Sequence, residues 1–211
     1  MQTSPLDTLI QSRRSIRKYK KEIPDPALIE KMVCAASFAP SPSNTQPVRF
    51  FNITSPETRT RLGQAMEEGR ADLIARIHTQ ALSNRESRRK KNIVHYYFRY
   101  AEFMCRAPVI LAVGAQPHTE SFSRRLNEES TKDLKDSAIT LGLALKGFLL
   151  KAQELGLGTC VLTAPLNFIP QVNDLLGIED VTIMCFTTVG FPAEAPKGVA
   201  RKNIREIYKE I

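Results

Sequence analysis

The 211-residue chain contains no tryptophan, only ten glycines and only three histidines. Each scarcity excludes something. His78, His95 and His118 lack ligand spacing with one another, so no metal site is expected. Glycine-rich phosphate loops have little raw material. Gly156-Leu157-Gly158 is followed by Val161 where a dinucleotide fingerprint needs glycine, and no G-x-x-x-x-G-K run occurs. A Rossmann nicotinamide site and a P-loop are therefore disfavoured. Hydrolase patterns such as G-x-S-x-G are also missing, and no acid–base or nucleophile set emerges, so no side chain is assigned a catalytic role. No apolar run reaches the ~18 residues of a spanning helix, since Lys146 interrupts the longest candidate, and no membrane partner is expected. The start, Met1 to Asp7, has no basic stretch followed by an apolar one, which predicts no signal peptide. Cys34, Cys105, Cys160 and Cys185 show no C-x-x-C spacing and have mostly apolar neighbours. They read as buried, reduced thiols of a cytoplasmic protein.

What is present is an ordinary globular composition, 42% hydrophobic with a net charge of +8. The excess of cations favours an anionic ligand, whether nucleic acid, anionic lipid or a phosphate-bearing cofactor. Without repeats or linker-like segments, residues 1–211 read as one α+β domain. Ser4-Pro5 and Asp25-Pro26 predict helix starts by cap and N1 proline, and Leu28, Ile29, Met32, Val33 and Ala36 fall on one helical face. Three prolines between Pro40 and Pro47 predict a stiff polar loop that is neither helix nor central strand. A strand over 48–54 is followed by a helix over 56–82. The run Pro108 to Ala115 reads as a strand buried on both faces. Gln116 to Glu129 reads as a loop or lid. Leu134, Ala138, Leu141, Leu145, Phe148, Leu149, Ala152 and Leu155 predict a long helix stopping at Gly156. Strands over 159–163 and 181–189, with a small helix from Pro170 to Gly177 between them, complete the pattern.

The sharpest motif is Arg13-Arg14-Ser15-Ile16-Arg17. Three guanidiniums and a hydroxyl within five residues can hold a phosphate by charge-assisted bonds, and a solvated surface cluster is the alternative. Arg85, Arg88, Arg89, Lys90 and Lys91 with Tyr96, Tyr97 and Tyr100 could grip single-stranded nucleic acid by charge and stacking. A solvated helix face with its aromatics turned inward accounts for them more simply, so nucleic acid is not expected. Phosphate-binding arginines without side-chain chemistry suggest that a cofactor carries the reaction.

Four segments, in order, resemble the nitroreductase family of flavoproteins. Arg13-Arg14-Ser15-Ile16-Arg17 is similar to its N-terminal R-R-S-x-R element, and Ala39 to Pro47 to its A-P-S-x-x-N-x-Q-P-W loop. Asp136 with Leu155-Gly156-Leu157-Gly158-Thr159-Cys160 resembles its D-…-L-G-L-G core segment, and Val189-Gly190-Phe191-Pro192 with Arg201-Lys202 its C-terminal turn and basic tail. The resemblance implies a three-layer fold with a central mixed β-sheet flanked by helices, in a homodimer with exchanged termini. It implies FMN as cofactor and NAD(P)H as transient donor, with ping-pong hydride transfer through flavin N5 to a nitroaromatic, quinone or similar small aromatic acceptor. By position, Arg13, Arg14 and Ser15, joined by Arg201 or Lys202, would hold the phosphate and ribityl chain, and Arg17 the pyrimidine edge. Pro40, Ser41, Pro42 and Asn44 would reach the flavin from the other subunit, and Leu162, Thr163 and Ala164 would face N5. The chain departs from the family at Val48, where tryptophan is usual, and at Thr163-Ala164, where glycine or glutamate is usual. Two alternatives stand beside this one: a reductive dehalogenase or flavin-fragmenting relative, and a non-catalytic basic protein binding nucleic acid or FMN.

Overall fold

The computed structural model describes residues 4–117 and 131–211, the side chains of 131–134 excepted. Beyond Pro117, the loop or lid expected from Gln116 to Glu129 lies outside the described residues, as do His118 and the side chain of Leu134. Strands β1 (Val48–Asn52), β2 (Val109–Ala115), β3 (Gly158–Leu162) and β4 (Thr182–Gly190) form a sheet of order β1-β2-β4-β3. Each neighbouring pair is antiparallel. The parallel component of the sheet is an isolated bridge, Ser15 to Thr159, on the β3 edge.

Helices cover both faces, giving three layers. β2 is buried at every position, and its residues divide by the period of two that a strand imposes. Ile110 and Ala112 join Leu62, Met66, Phe98 and Phe186 beneath helices α3 (Pro56–Thr79) and α4 (Asn84–Ala101). Val109, Leu111 and Val113 join Met32, Leu145 and Phe148 beneath α2 (Pro26–Ser37) and α5 (Thr131–Glu154). Two-sided burial is why β2 is a continuous apolar run. Fully burying side chains such as Phe148 and Phe186 contributes about 3 kcal/mol each. Gly69, in the middle of α3, lies against the backbone of Phe168, where a Cβ would sit 1.9 Å from the carbonyl oxygen.

Helix ends follow the local sequence. Ser4 and Asp7 form a capping box on α1 (Pro5–Ser12), Asp25 caps α2 and Ser55 caps α3. α5 stops because Gly156 takes a left-handed φ of 73°, while the Leu157 amide donates to the Ala152 carbonyl at 2.8 Å. The guanidinium of Arg59 donates to the carbonyls of Ile53, Ala107 and Pro108 at 2.9, 2.9 and 3.0 Å, fastening α3 to the ends of β1 and β2.

Four expectations need correction. The 56–82 helix ends at Thr79. The proline loop folds into a tight turn over Pro42–Asn44, closed by bonds from the Asn44 and Thr45 amides to the Ser41 and Pro42 carbonyls at 3.0 and 3.1 Å, with Ser43 and Asn44 at positive φ. On α4, Phe98 and Ala101 fill the inward face, so Tyr96, Tyr97 and Tyr100 point outward at 57, 51 and 45% exposure. Finally, Cys160 and Cys185 are buried, but Cys105 is only half-buried and Cys34 is exposed, since the core side of α2 is taken by Ile29, Met32 and Ala36.

Burial pushes the Cys185 thiol up to about 12 and also raises Cys160 and Cys105. A thiol-specific reagent at neutral pH is therefore expected to label Cys34 first and Cys185 only on unfolding. Simultaneous labelling of both in the native protein would contradict this burial. Because the folded-state value of Cys185 lies above that of a free thiol (~8.5), the folded form binds the extra proton. Its contribution to stability is whole below the free-thiol value and is lost as pH rises toward about 12.

Candidate cofactor site

The arginine motif leaves α1 and runs along the β3 edge. The Ile16 amide donates to the Thr159 carbonyl at 2.9 Å, and Tyr19 bridges to Pro192. Lys20 donates to the Phe191 carbonyl and Ala193 to that of Lys18, both at 2.9 Å. The Glu194 carboxylate accepts from the amides of Arg17 and Lys18 at 2.6 and 3.0 Å. Gly158 permits this closeness: a Cβ there would meet Ile16 side-chain atoms at 2.7–2.9 Å. The motif is thus held by backbone, which leaves its side chains available.

Those side chains converge. Burial lowers the pKa of the Arg13 guanidinium, and the charges of Arg201 and Arg14 lower it further. Burial raises the Cys160 thiol, against the pull of Arg17, Arg13 and a hydrogen bond with Ser15. Arg13, Ser15 and Arg17 alternate along the extended run that meets β3 at the Ser15–Thr159 bridge, next to Cys160. Arg14 spends one Nη on the carbonyls of Gln11 and Arg13, and its other Nη lies where a Cβ on Gly198 would approach to 2.8 Å. Its Nε is buried with no hydrogen-bond partner among the described residues. The ion pairs among those residues join Glu67 to Arg70, Asp72 to Arg76 and Glu154 to Lys151, none of them in this cluster. Glu194 is turned to the Arg17 and Lys18 amides, so three like charges with an orphaned buried donor and no ion pair among the described residues make a cradle suited to a phosphate dianion.

Lys202 is exposed beside Arg201. Leu162 is buried at the end of β3, Thr163 is exposed and Ala164 opens a 3-10 turn. Thr163 stands four residues beyond the Ser15 bridge, about 13 Å along the strand. A phosphate at the cradle and a ring system at the strand end suit a ligand with an extended chain between them, and FMN has that shape.

The proline loop is not brought to this place. Its Ser41 hydroxyl accepts from the Gln46 amide at 2.9 Å, and Gln46 donates to Asn44 at 3.3 Å. Pro40, Ser41, Pro42 and Asn44 precede β1, at the edge of the sheet opposite β3, three strand spacings or about 14 Å away. Sequence reasoning missed Glu194 and Gly198. Their only signal was an acid and a glycine in the tail, and neither shows a role until the fold sets them against the arginine motif. Tyr100 is legible only with the basic run of residues 85–91, and its link to the arginine motif is not: its ring centroid lies 5.7 Å from the Arg17 guanidinium carbon.

Comparison with known proteins bears on the family and the fold. The model of the nitroreductase family matches residues 10–191. YfhC of Bacillus subtilis (strain 168), an NAD(P)H nitroreductase in name, is 28% identical over 211 residues, covering 100% of this chain and 96% of that one. The iodotyrosine deiodinase of Drosophila melanogaster is 26% identical over 205 residues, covering 94% of this chain and 67% of the deiodinase. A BluB-like flavoprotein from Clostridium difficile 630 superimposes with a TM-score of 0.84 at 22% identity, covering 99% of each chain, and so shares the fold.

Proposed function

Since the chain belongs to the nitroreductase family, we propose that it is an FMN-dependent NAD(P)H oxidoreductase acting on a nitroaromatic, quinone or similar small aromatic acceptor. The observation that carries the proposal is the unpartnered, buried Nε of Arg14, set beside Arg13 and the Gly198 tail with no ion pair at the cluster among the described residues. FMN held there would supply the two-electron chemistry, hydride transfer between a nicotinamide and the acceptor in ping-pong order. The protein supplies position and field. Arg13, Arg14, Ser15 and Arg201, with Lys202, hold the phosphate and ribityl chain. Arg17 sets a cation at the pyrimidine edge, which stabilises negative charge there and favours the reduced state. Leu162, Thr163 and Ala164 form the strand end facing N5.

The reading includes a homodimer. Leu6 and Ile10 on α1, Ile139 and Leu143 on α5, and Ile204 and Ile207 in the tail are all exposed by 41–68%. Such apolar surface on three elements suits a subunit interface. A second copy would also bring Pro40, Ser41, Pro42 and Asn44 to the flavin. None of the described helices is long and apolar enough to cross a membrane. A yellow purified protein with flavin absorbance, whose FMN reduces on addition of NAD(P)H, is the expected result. A colourless protein that leaves added FMN fluorescence unquenched overturns the proposal.

The deiodinase relative favours a second reading on the same fold, reductive dehalogenation. Halide released from a halogenated phenol by the anaerobically reduced protein, without reduction of nitroaromatics, would establish it instead.

A further inference from the structure

We infer that the outward face of α4 binds the adenosine 2′-phosphate arm of NADPH, an inference that rests on the proposed oxidoreductase function. The first two turns of α4 carry Arg85, Arg88, Arg89, Lys90 and Lys91. Cations there oppose the helix dipole, and like charges three and four residues apart repel. The acid among them, Glu86, is committed to the Ser83 cap, accepting from its amide and hydroxyl at 3.1 and 2.7 Å. Lys90 turns to the Gln80 carboxamide at 2.7 Å, and Lys91 to His78 at 3.4 Å. Arg85, Arg88 and Arg89 remain exposed, outside the ion pairs of the described residues. A phosphomonoester dianion relieves this repulsion and can accept from more than one guanidinium.

The same three arginines line a cleft of about 530 Å³ with Tyr96 and Tyr97. These rings meet edge to face with centroids 5.6 Å apart, and both are more than half exposed. They offer π-surface to a purine beside the phosphate site. A second cleft of about 500 Å³ shares Asn92 and Tyr96 with the first and is bounded at its far end by Tyr100 and Arg17. Arg17 is the residue assigned to the flavin's pyrimidine edge. From Arg88 to Tyr100 is twelve residues of helix, about 18 Å. A ligand that reaches from the flavin to the arginines must be long, carry a flat ring at each end and be anionic at the distal one. NADPH meets all three conditions. NADH has the length but lacks the distal phosphate. The second cleft adds Arg99 and Arg17, so cations also line the path of a single strand, and titration with a short oligothymidylate separates the two ligands.

Two measurements test the inference. In the FMN-loaded protein, KM is expected to be about tenfold lower or more for NADPH than for NADH. The double variant Arg88→Gln, Arg89→Gln should remove that difference by raising KM for NADPH, with kcat and KM for NADH unchanged. Calorimetric titration with 2′-AMP at low salt should show binding that the double variant loses, and adenosine should not distinguish the two proteins. The titration needs neither flavin nor turnover, so it reads the α4 site even where the protein is colourless and the oxidoreductase reading has failed. Equal KM values for the two donors, no 2′-AMP binding, or displacement of 2′-AMP by inorganic phosphate at equal concentration each overturn the inference. Preferential binding of a short oligothymidylate overturns it in favour of nucleic acid.

Discussion

Replacing Arg13 by alanine is expected to weaken FMN binding about a hundredfold. A charge-assisted bond to a phosphate is worth roughly 1.5–3 kcal/mol, and about 2.7 kcal/mol is a factor of a hundred in Kd. Arg13 is also the arginine on which the cluster converges: it is half-buried and feels both Arg201 and Arg14. Removing it takes away the donor whose desolvation has already been met in the folded protein. Fluorescence titration of FMN measures the effect. Arg89→Ala is the matched control, because it removes a cation of equal charge from α4 and leaves the cradle intact, so its FMN affinity should be unchanged. Equal FMN affinities for the two variants would remove the phosphate from this motif.

The largest stability effect is expected at Gly69→Ala. Alanine is intrinsically the better helix former by about 1 kcal/mol, so an isolated α3 would gain. In the folded protein the new Cβ would lie 1.9 Å from the Phe168 carbonyl oxygen and 2.7 Å from its carbon. Neither is the free end of a flexible side chain, so α3 or the turn before the short helix Val172–Leu176 must move. Phe168 is itself buried, edge to face with Phe98 at 5.4 Å, so movement there disturbs the core beneath α4. Overpacking of this kind costs about 1–3 kcal/mol, which for a chain of this size lowers Tm by roughly 2–12 °C. Thermal unfolding by circular dichroism would show it. A Tm at or above that of the parent would mean the backbone approach is looser than described.

These two sites differ in how far the sequence announces them. The arginine motif is legible because its meaning is local: five consecutive residues carry three charges and a hydroxyl. The same holds for the caps at Ser4, Asp25 and Ser55, where a side chain and the proline after it act within one turn. β2 is legible because burial on both faces leaves no polar position in the run. Gly69 is not legible, since a mid-helix glycine looks like a weak point until the fold lays Phe168 across it. The orientation of Tyr96, Tyr97 and Tyr100 was misread for a related reason. Burial is the usual state of tyrosine, but α4 had only one inward face, and Phe98 and Ala101 occupy it. Cys34 follows the same logic on α2. The proline loop is legible as a stiff polar loop, though not in its internal turn, and its relation to the arginines could not be read, because one chain sets the two at opposite sheet edges.

The strand order has a consequence for synthesis. β4 lies between β2 and β3, although it is the last of the four to be made. While the ribosome elongates past Ala115, β2 can pair only with β1, and its other edge stays bare until Thr182 has emerged. At about 5–20 residues per second that interval lasts several seconds or more. Through it, a seven-residue apolar strand offers open amides and carbonyls to any neighbouring nascent chain. Polypeptides stalled or cut before β4 should therefore clump rather than remain as partly folded monomers, and the arrival of Thr182–Gly190 decides whether the strands made before it are safe.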